Sequence, residues 1–417
     1  MSTTTTTDRH TPVPADIPRS DIDPFAEANL HTPRPFHEHL RSQGPVVYLE
    51  KYGVYALPRY QEVAAALKDW QAFESGAGVG VMNFRKETPL RPPSLLLEAD
   101  PPHHDAPRHV LESLLGVRQL RSLQEGWDRI AGDLVDEVLG AATSVDGSVE
   151  LDAAEVFAEA FPQRVFPDAL GLPEEGRENL IPYGTAVFNA FGPQNRLFKE
   201  AMVGQPERSA WVGEHSAREG LLPGGFGMAI HEAADRGEIT HEQAPLVVRS
   251  LLTAGVDTTV NGLSALLHTL AENPAAWDRL RTEPELIRRA FDEAVRLFSP
   301  VQTFFRTATR DVQLAGTVIP EGEKILMLLG SANTDPERWA DPYAFDLDRD
   351  PSGHVGFGMG VHHCVGQHVA RAEAAALVGA LVERVASIEP AGEPRRRLNN
   401  TLIAFDRLPV RIRPDRR

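Results

Sequence analysis

Cys364 is the only cysteine in 417 residues, and it stands in Gly356-Phe357-Gly358-Met359-Gly360-Val361-His362-His363-Cys364-Val365-Gly366. A thiol among glycines suits a thiolate ligand to iron. Such a ligand needs backbone that can approach closely and turn N–H groups toward the sulfur. The helical run His368 to Arg384 behind it adds a positive helix end, which favours the deprotonated sulfur. A buried thiol beside a glycine-rich turn is the plainer alternative. His362, His363 and His368 crowd the same stretch, but a lone cysteine with clustered histidines lacks the paired spacing of a structural zinc site.

Three more clusters could do chemistry or hold a group. Ala254-Gly255-Val256-Asp257-Thr258-Thr259 sets an acid beside an alcohol inside a long apolar run, the outline of a proton relay. His104 and Arg108 are four apart and share a face if helical, so two donors point one way. Asp100, ahead of Pro101-Pro102, reads as the start of that helix. Glu293 and Arg296, three apart, form a helix-face ion pair.

These residues must be positioned by longer elements. Thr240-His241-Glu242-Gln243 is a capping box, and the apolar pattern continues to about Glu272, with Pro274 as the stop. That predicts one helix of roughly 32 residues, about 48 Å long. Gly255 in its middle costs about 1 kcal/mol against alanine and, beside Thr258, marks a place for the ladder to open. Val46 to Leu49 and Val54 to Leu57 predict a hairpin, Arg59 to Asp69 a short helix, and residues 73 to 93 a long loop. Residues 117 to 190 are mostly helical in pattern. Thr303 to Thr307 and Lys324 to Leu329 read as strands, and Asn399 to Phe405 as a last hairpin.

Composition sets the broad class. With 42% apolar and 24% charged residues the chain is an ordinary globular protein. Its net charge of −17 argues against a nucleic-acid partner. No run of about 18 apolar residues is present, and one cysteine fits a reducing cytoplasm. Residues 1–20, threonine- and proline-rich, read as a disordered or loosely attached tail, and residues 21–417 as one domain.

Phe357 to Gly366, in the form Phe-Gly-x-Gly-x-His-x-Cys-x-Gly, resembles the heme-ligand loop of the cytochrome P450 family. Ala-Gly-x-Asp-Thr at 254–258 resembles that family's oxygen-activation motif, and His-x-x-x-Arg at 104–108 its propionate-binding pair. The Glu-x-x-Arg at 293–296, followed by Trp339 to Arg349, is similar to its structural lock. The resemblance implies a mainly α fold with small β-sheets, burying heme b (iron protoporphyrin IX) between the long helix and the cysteine loop. It makes Cys364 the axial iron ligand, with Phe357, Gly358, Gly366, Ala254 and Gly255 beside the cofactor. His104, Arg108, Arg306, His354 and His362 would hold the propionates. Asp257 and Thr258 would relay protons, and Glu293, Arg296 and Arg349 would be structural. The implied activity is a monooxygenase using O2, with NADH electrons delivered through a flavin ferredoxin reductase and a [2Fe-2S] ferredoxin as separate chains, and with Arg371 a candidate docking contact. A soluble cytoplasmic bacterial monomer is expected.

Longer stretches look like a narrow bacterial group that oxidises para-substituted benzoic acids such as 4-methoxybenzoate. They are Arg91 to Leu95, Val187 to Pro193, Pro223 to Gly227, Val248 to Leu252 and Ser299 to Arg306. By that resemblance Arg91, Ser94, Arg249 and Ser250 hold the substrate carboxylate. Phe188, Phe191, Val301 and Phe304 form apolar walls, with Ala254 along the same pocket helix. Ser250, Ala254 and Thr258, four apart, share one helical stripe, and Ser250 lies about 12 Å along the axis from Thr258. A rigid benzoate would thus lie along the helix, its para group toward the oxygen site. Thr253 departs from the serine expected there, and its methyl would narrow the carboxylate end. Two other readings stay open on the residues: a heme-thiolate sensor without turnover, and a monooxygenase of neutral substrates such as terpenes.

Overall fold

The computed structural model describes residues 17–141 and 147–415. Six strands form the main sheet, in the order Arg19–Ser20, Val47–Leu49, Val54–Leu57, Lys324–Leu328, Thr303–Ala308 and Phe73–Glu74. The 47–49 and 54–57 strands make the hairpin read from the sequence, antiparallel with Tyr48 opposite Tyr55. Alternation along Lys324–Leu328 explains its wholly apolar centre. Ile325 and Met327 enter one core, Leu326 and Leu328 another, as a strand covered on both faces requires.

One end of the expected tail is built into this sheet. Arg19 and Ser20 pair in parallel with Tyr48 and Leu49, and Ile17 is buried. Backbone hydrogen bonds to a free sheet edge order these residues. Residues 1–16 lie outside those described. The loop expected over 73–93 also gives up its first two residues to the sheet, where Phe73 pairs with Ala308.

The remaining bulk is helical and packs around the largest apolar core. The helix expected over 240–272 is two helices, Gln243–Ala254 and Asp257–Glu272. Its capping box is present: Gln243 N donates to Thr240 Oγ1 at 3.2 Å and Thr240 N to Gln243 Oε1 at 2.9 Å. The break falls at Gly255-Val256. There a β-carbon on residue 255 would stand 2.3 Å from the Phe166 ring, so only glycine lets that ring approach. The Thr258 hydroxyl donates to Ala254 O at 2.8 Å and the Thr259 hydroxyl to Gly255 O at 3.3 Å. Side-chain donors thus cap carbonyls that the interrupted ladder frees.

Beneath the cysteine loop, Glu293 and Arg296 are fully buried in the Ile287–Phe298 helix. Arg296 grips Glu293 in a two-pronged bond, Nε to Oε2 and Nη2 to Oε1, both 2.7 Å. Arg349 Nε adds a third donor to Glu293 Oε1 at 2.9 Å. The rest of the Arg296 fork donates to the carbonyls of Asn333, Pro342 and Ala344. No helix among the described residues is long and apolar enough to cross a membrane.

Candidate functional site

Between the broken central helix and the cysteine loop lies a cavity with mostly apolar walls, and Cys364 lines it. Loop geometry accounts for its glycines. Gly358 and Gly360 both have φ of +69°, and a β-carbon at 360 would lie 2.5 Å from Leu67 O. Cys364 N donates to Phe357 O at 2.8 Å, closing the turn. Burial pushes the Cys364 thiol up, while backbone N–H groups of Gly366 and Gln367 and the charges of Arg108 and Arg371 pull it down. The N–H groups at the helix start thus act in the expected direction, favouring the ionised sulfur against burial.

On the opposite wall Ser250, Ala254, Gly255 and Thr258 all line the cavity. The break bends the stripe that joins them, so the 12 Å of a straight helix does not measure it. Asp257 does not line it. Its carboxylate, 1% exposed, accepts from Thr185 Oγ1 at 2.8 Å and Arg397 Nη2 at 3.1 Å, with Asn261 Nδ2 at 3.5 Å. Adjacent residues on a helix point about 100° apart, so a cavity-facing Thr258 turns Asp257 toward the Leu180–Asn189 helix and the Arg395–Leu398 strand. Burial raises the Asp257 carboxyl, and Arg397, Thr185 and Asn261 oppose that rise.

Cationic groups gather at one side. Arg306 is 2% exposed, and its Nη1 donates to the neighbouring Phe305 O at 2.9 Å, its one hydrogen bond among the described residues. Burial holds its pKa down to about 10. Arg108 lines the cavity too, donating to His363 O and Glu112. His362 joins them, its Nδ1 at 3.1 Å from Leu96 O and its Nε2 at 3.2 Å from Asp100 Oδ1. Burial lowers His362, with Asp100 pulling the other way.

Three sequence expectations change here. Asp100 starts no helix: it accepts from the N–H groups of Ser75 and Gly76 and from His362, and the helix begins at Asp105. Against the rise that burial causes, these bonds hold its carboxyl below the usual range. His104 sits behind His362, ring centroids 4.9 Å apart, and does not line the cavity. It caps the helix, its carbonyl accepting from Arg108 N at 3.1 Å, while its ring packs on His362. His354 also misses the cavity. Its Nδ1 accepts from Gly356 N at 3.1 Å, and burial drives the ring to about 3, so it is neutral and locked into the loop.

The remaining expected pocket residues, Arg91, Ser94, Phe188, Phe191, Arg249, Thr253, Val301 and Phe304, all line the cavity. Phe188 meets Phe191 edge-on at 5.6 Å, and Phe191 meets Phe304 at 5.9 Å. At the polar end the Ser94 and Ser250 hydroxyls are 3.2 Å apart. Arg249 Nη2 donates to the carbonyls of Pro92 and Pro93. Arg91 Nη1 donates to Pro92 O at 3.0 Å and to Glu98 Oε2 at 2.9 Å. Thr253 turns its hydroxyl back to Arg249 O at 2.8 Å.

Several members of this site have no sequence signal. Glu98, Arg397 and Thr185 meet their partners only through folding, and Leu96, Leu97, Phe166 and Phe291 join the walls as ordinary core residues. The Arg249 hydrogen bonds to a loop more than 150 positions away could not be read from spacing. Arg371, the candidate docking contact, is tied into the chain by part of its guanidinium. It donates to Asp292 at 2.7 Å and to Gln367, and its guanidinium lies 4.6 Å from the Phe357 ring centroid.

A family model described as "Cytochrome P450" matches residues 226–413. The chain is 53% identical over 400 residues to cytochrome P450 CYP199A2 of Rhodopseudomonas palustris, covering 96% of each. Cytochrome P450 107B1 of Saccharopolyspora erythraea is 31% identical over 369 residues, with 85% of this chain and 88% of that one covered. Among solved structures, P450BioI in complex with hexadec-9Z-enoic acid ligated acyl carrier protein superimposes with a TM-score of 0.80. It is 27% identical, and the match covers 93% of this chain and 100% of that one.

Proposed function

This chain belongs to the cytochrome P450 family and is a heme- and oxygen-using monooxygenase, and from that premise we propose that its substrates are para-substituted benzoic acids, which it hydroxylates or O-demethylates. The observation that carries this reading is one cavity with two guanidinium groups and two hydroxyls at one end and the lone cysteine on its wall. Arg91 and Arg249 keep N–H donors beyond those they give to loop carbonyls and Glu98. A carboxylate brought between them gains charge-assisted hydrogen bonds, while Phe188, Phe191 and Phe304 take the ring.

The residues fit heme. A buried guanidinium with a single neutral acceptor, Arg306, is poorly satisfied alone. Heme propionates against Arg306, Arg108 and His362 would satisfy it. Cys364 would be the iron ligand, with N–H groups of Gly366 and Gln367 supporting its sulfur. Bound heme supplies the activation of O2. The chain positions the substrate, keeps water from its ring and presents a proton donor. Thr258 is that donor: its hydroxyl lines the cavity and can turn away from Ala254 O. Asp257 stands behind it as a source of protons, reached from solvent through the part-exposed Arg397. Two electrons come from NADH by way of a flavin reductase and a [2Fe-2S] ferredoxin as separate chains.

Spectral titration of the heme-loaded protein tests the substrate class. A substrate-induced shift of the Soret band is expected with 4-alkyl- and 4-methoxybenzoates and far less with their methyl esters. Arg91→Ala is expected to weaken acid binding by roughly 10-fold to 100-fold and ester binding little. Equal losses would give Arg91 a packing role, and esters binding as well as acids would favour a neutral substrate. Thr258→Ala should keep substrate affinity while product per NADH falls by roughly tenfold or more and peroxide rises. Unchanged coupling would remove Thr258 from proton delivery.

A further inference from the structure

We propose that Glu98 sets the charge selectivity of the carboxylate end, leaving it one net positive charge so that it accepts singly charged aromatic acids and rejects doubly charged ones. This rests on the benzoate reading and adds to it a residue that need not touch the substrate.

The geometry is direct. Glu98 has a side chain 2% exposed, and its Oε2 accepts both Arg91 Nη1 at 2.9 Å and Ser94 N at 2.8 Å. It therefore bonds to one of the four groups placed to receive a carboxylate, the Arg91 guanidinium, and to the backbone of a second, Ser94. Glu98 N in turn donates to Ser94 O at 3.1 Å, so residues 94–98 form a turn closed from both sides. Arg249, the second cation, feels Arg91 and Glu98 as charged neighbours, while burial holds it down. The other nearby carboxylate, Asp100, is taken up by His362 and the Ser75 and Gly76 amides. Two guanidinium charges and one carboxylate leave a balance of one, with Lys324, the other basic group that feels Glu98, turned to Gly78 O and held by burial down to about 7.

A buried carboxylate at this place has a further effect. Glu98 takes one Arg91 N–H and the Ser94 and Ser250 hydroxyls meet each other, while other N–H groups of Arg91 and Arg249 stay open to an acid. An incoming carboxylate parts the two hydroxyls and takes the remaining guanidinium donors. A second negative charge has no cation left for it, and it meets Glu98 in a partly dry site where repulsion is poorly screened.

The test uses two ligands of one shape and different charge: 4-ethylbenzenesulfonate, singly charged, and 4-ethylphenylphosphonate at an alkaline pH where it is doubly charged. Affinities are read by spectral titration of heme-loaded protein. Wild type is expected to prefer the sulfonate by about tenfold or more, and Glu98→Gln to move that ratio by about tenfold or more toward the phosphonate. Glu98→Asp keeps the charge and is expected to keep the wild-type ratio, even if both affinities fall. A ratio that Glu98→Gln leaves unchanged overturns the proposal, as does equal weakening of both ligands or refusal of the phosphonate by both proteins. Wild-type titration with 4-ethylbenzoate and its methyl ester runs alongside. If the ester binds as well, the benzoate reading fails and takes this inference with it. A clear acid preference with an unmoved ratio sinks the role of Glu98 alone.

Discussion

Replacing Cys364 by alanine is expected to abolish turnover and to remove the strongly red-shifted Soret band that reduced, CO-treated protein should show. No other thiolate can replace it, because position 364 holds the chain's only cysteine. The nearby imidazoles are already engaged. His362 is held between Leu96 O and Asp100, and His363 Nδ1 bonds the Gln367 amide at 2.8 Å. The free thiol is pushed up by burial, while the Gly366 and Gln367 amides and two arginines ease its ionisation. A metal cation then tips the balance, since a coordinating thiol gives up its proton. Heme retained by the alanine variant would rest on the propionate side and the apolar walls, with a CO band at the unshifted position. A variant that kept the red-shifted band would refute sulfur ligation outright.

The second large effect lies outside the cavity. Arg296→Met is expected to cost about 3–5 kcal/mol of stability in chemical unfolding. Glu293 and Arg296 are both fully buried, and removing the guanidinium leaves a carboxylate with only Arg349 and the Asp346 amide. It also frees carbonyls of Asn333, Pro342 and Ala344. The damage reaches the site by a short path. Asn333 Oδ1 accepts from Val355 N at 2.7 Å, and Val355 O accepts from Gly358 N inside the cysteine loop. Heme release from the variant should therefore speed up along with unfolding. Arg349→Ala, on the more exposed arm of the same cluster, should cost only about 1 kcal/mol. Equal losses in the two variants would mean that burial does not govern this cluster.

Much of the site could be read along the chain because its parts are local. The glycines around Cys364 report positive backbone angles and close approach, and these are properties of single positions. The capping box at Thr240 and Gln243 is local in the same way. Where the reading erred, direction in space was at issue. His104 and Arg108 are four apart and joined by the first helical hydrogen bond, Arg108 N to His104 O, yet the His104 ring packs against His362 while Arg108 reaches the cavity. The relay pair of Asp257 and Thr258 keeps its place in the reading, but neighbours diverge on a helix, so the threonine lines the cavity and the acid stands behind it. His354 lies near the loop but turns its ring into it.

By itself the sequence determined the family, the mainly helical fold with small sheets, the lone thiol and the identities of most residues around the cavity. These follow from residue type at fixed short spacing, which a linear chain displays directly. The tertiary structure alone decided which groups share a space. It brought Glu98 to Arg91, Arg397 to Asp257 and the ring of Phe166 to Gly255, and by doing so it broke the central helix, turned the acid of 257 away from the cavity and balanced the charge at the polar end. Such pairings join segments seven to 140 positions apart. They are fixed by which burial each segment achieves against the others, and no local pattern records that.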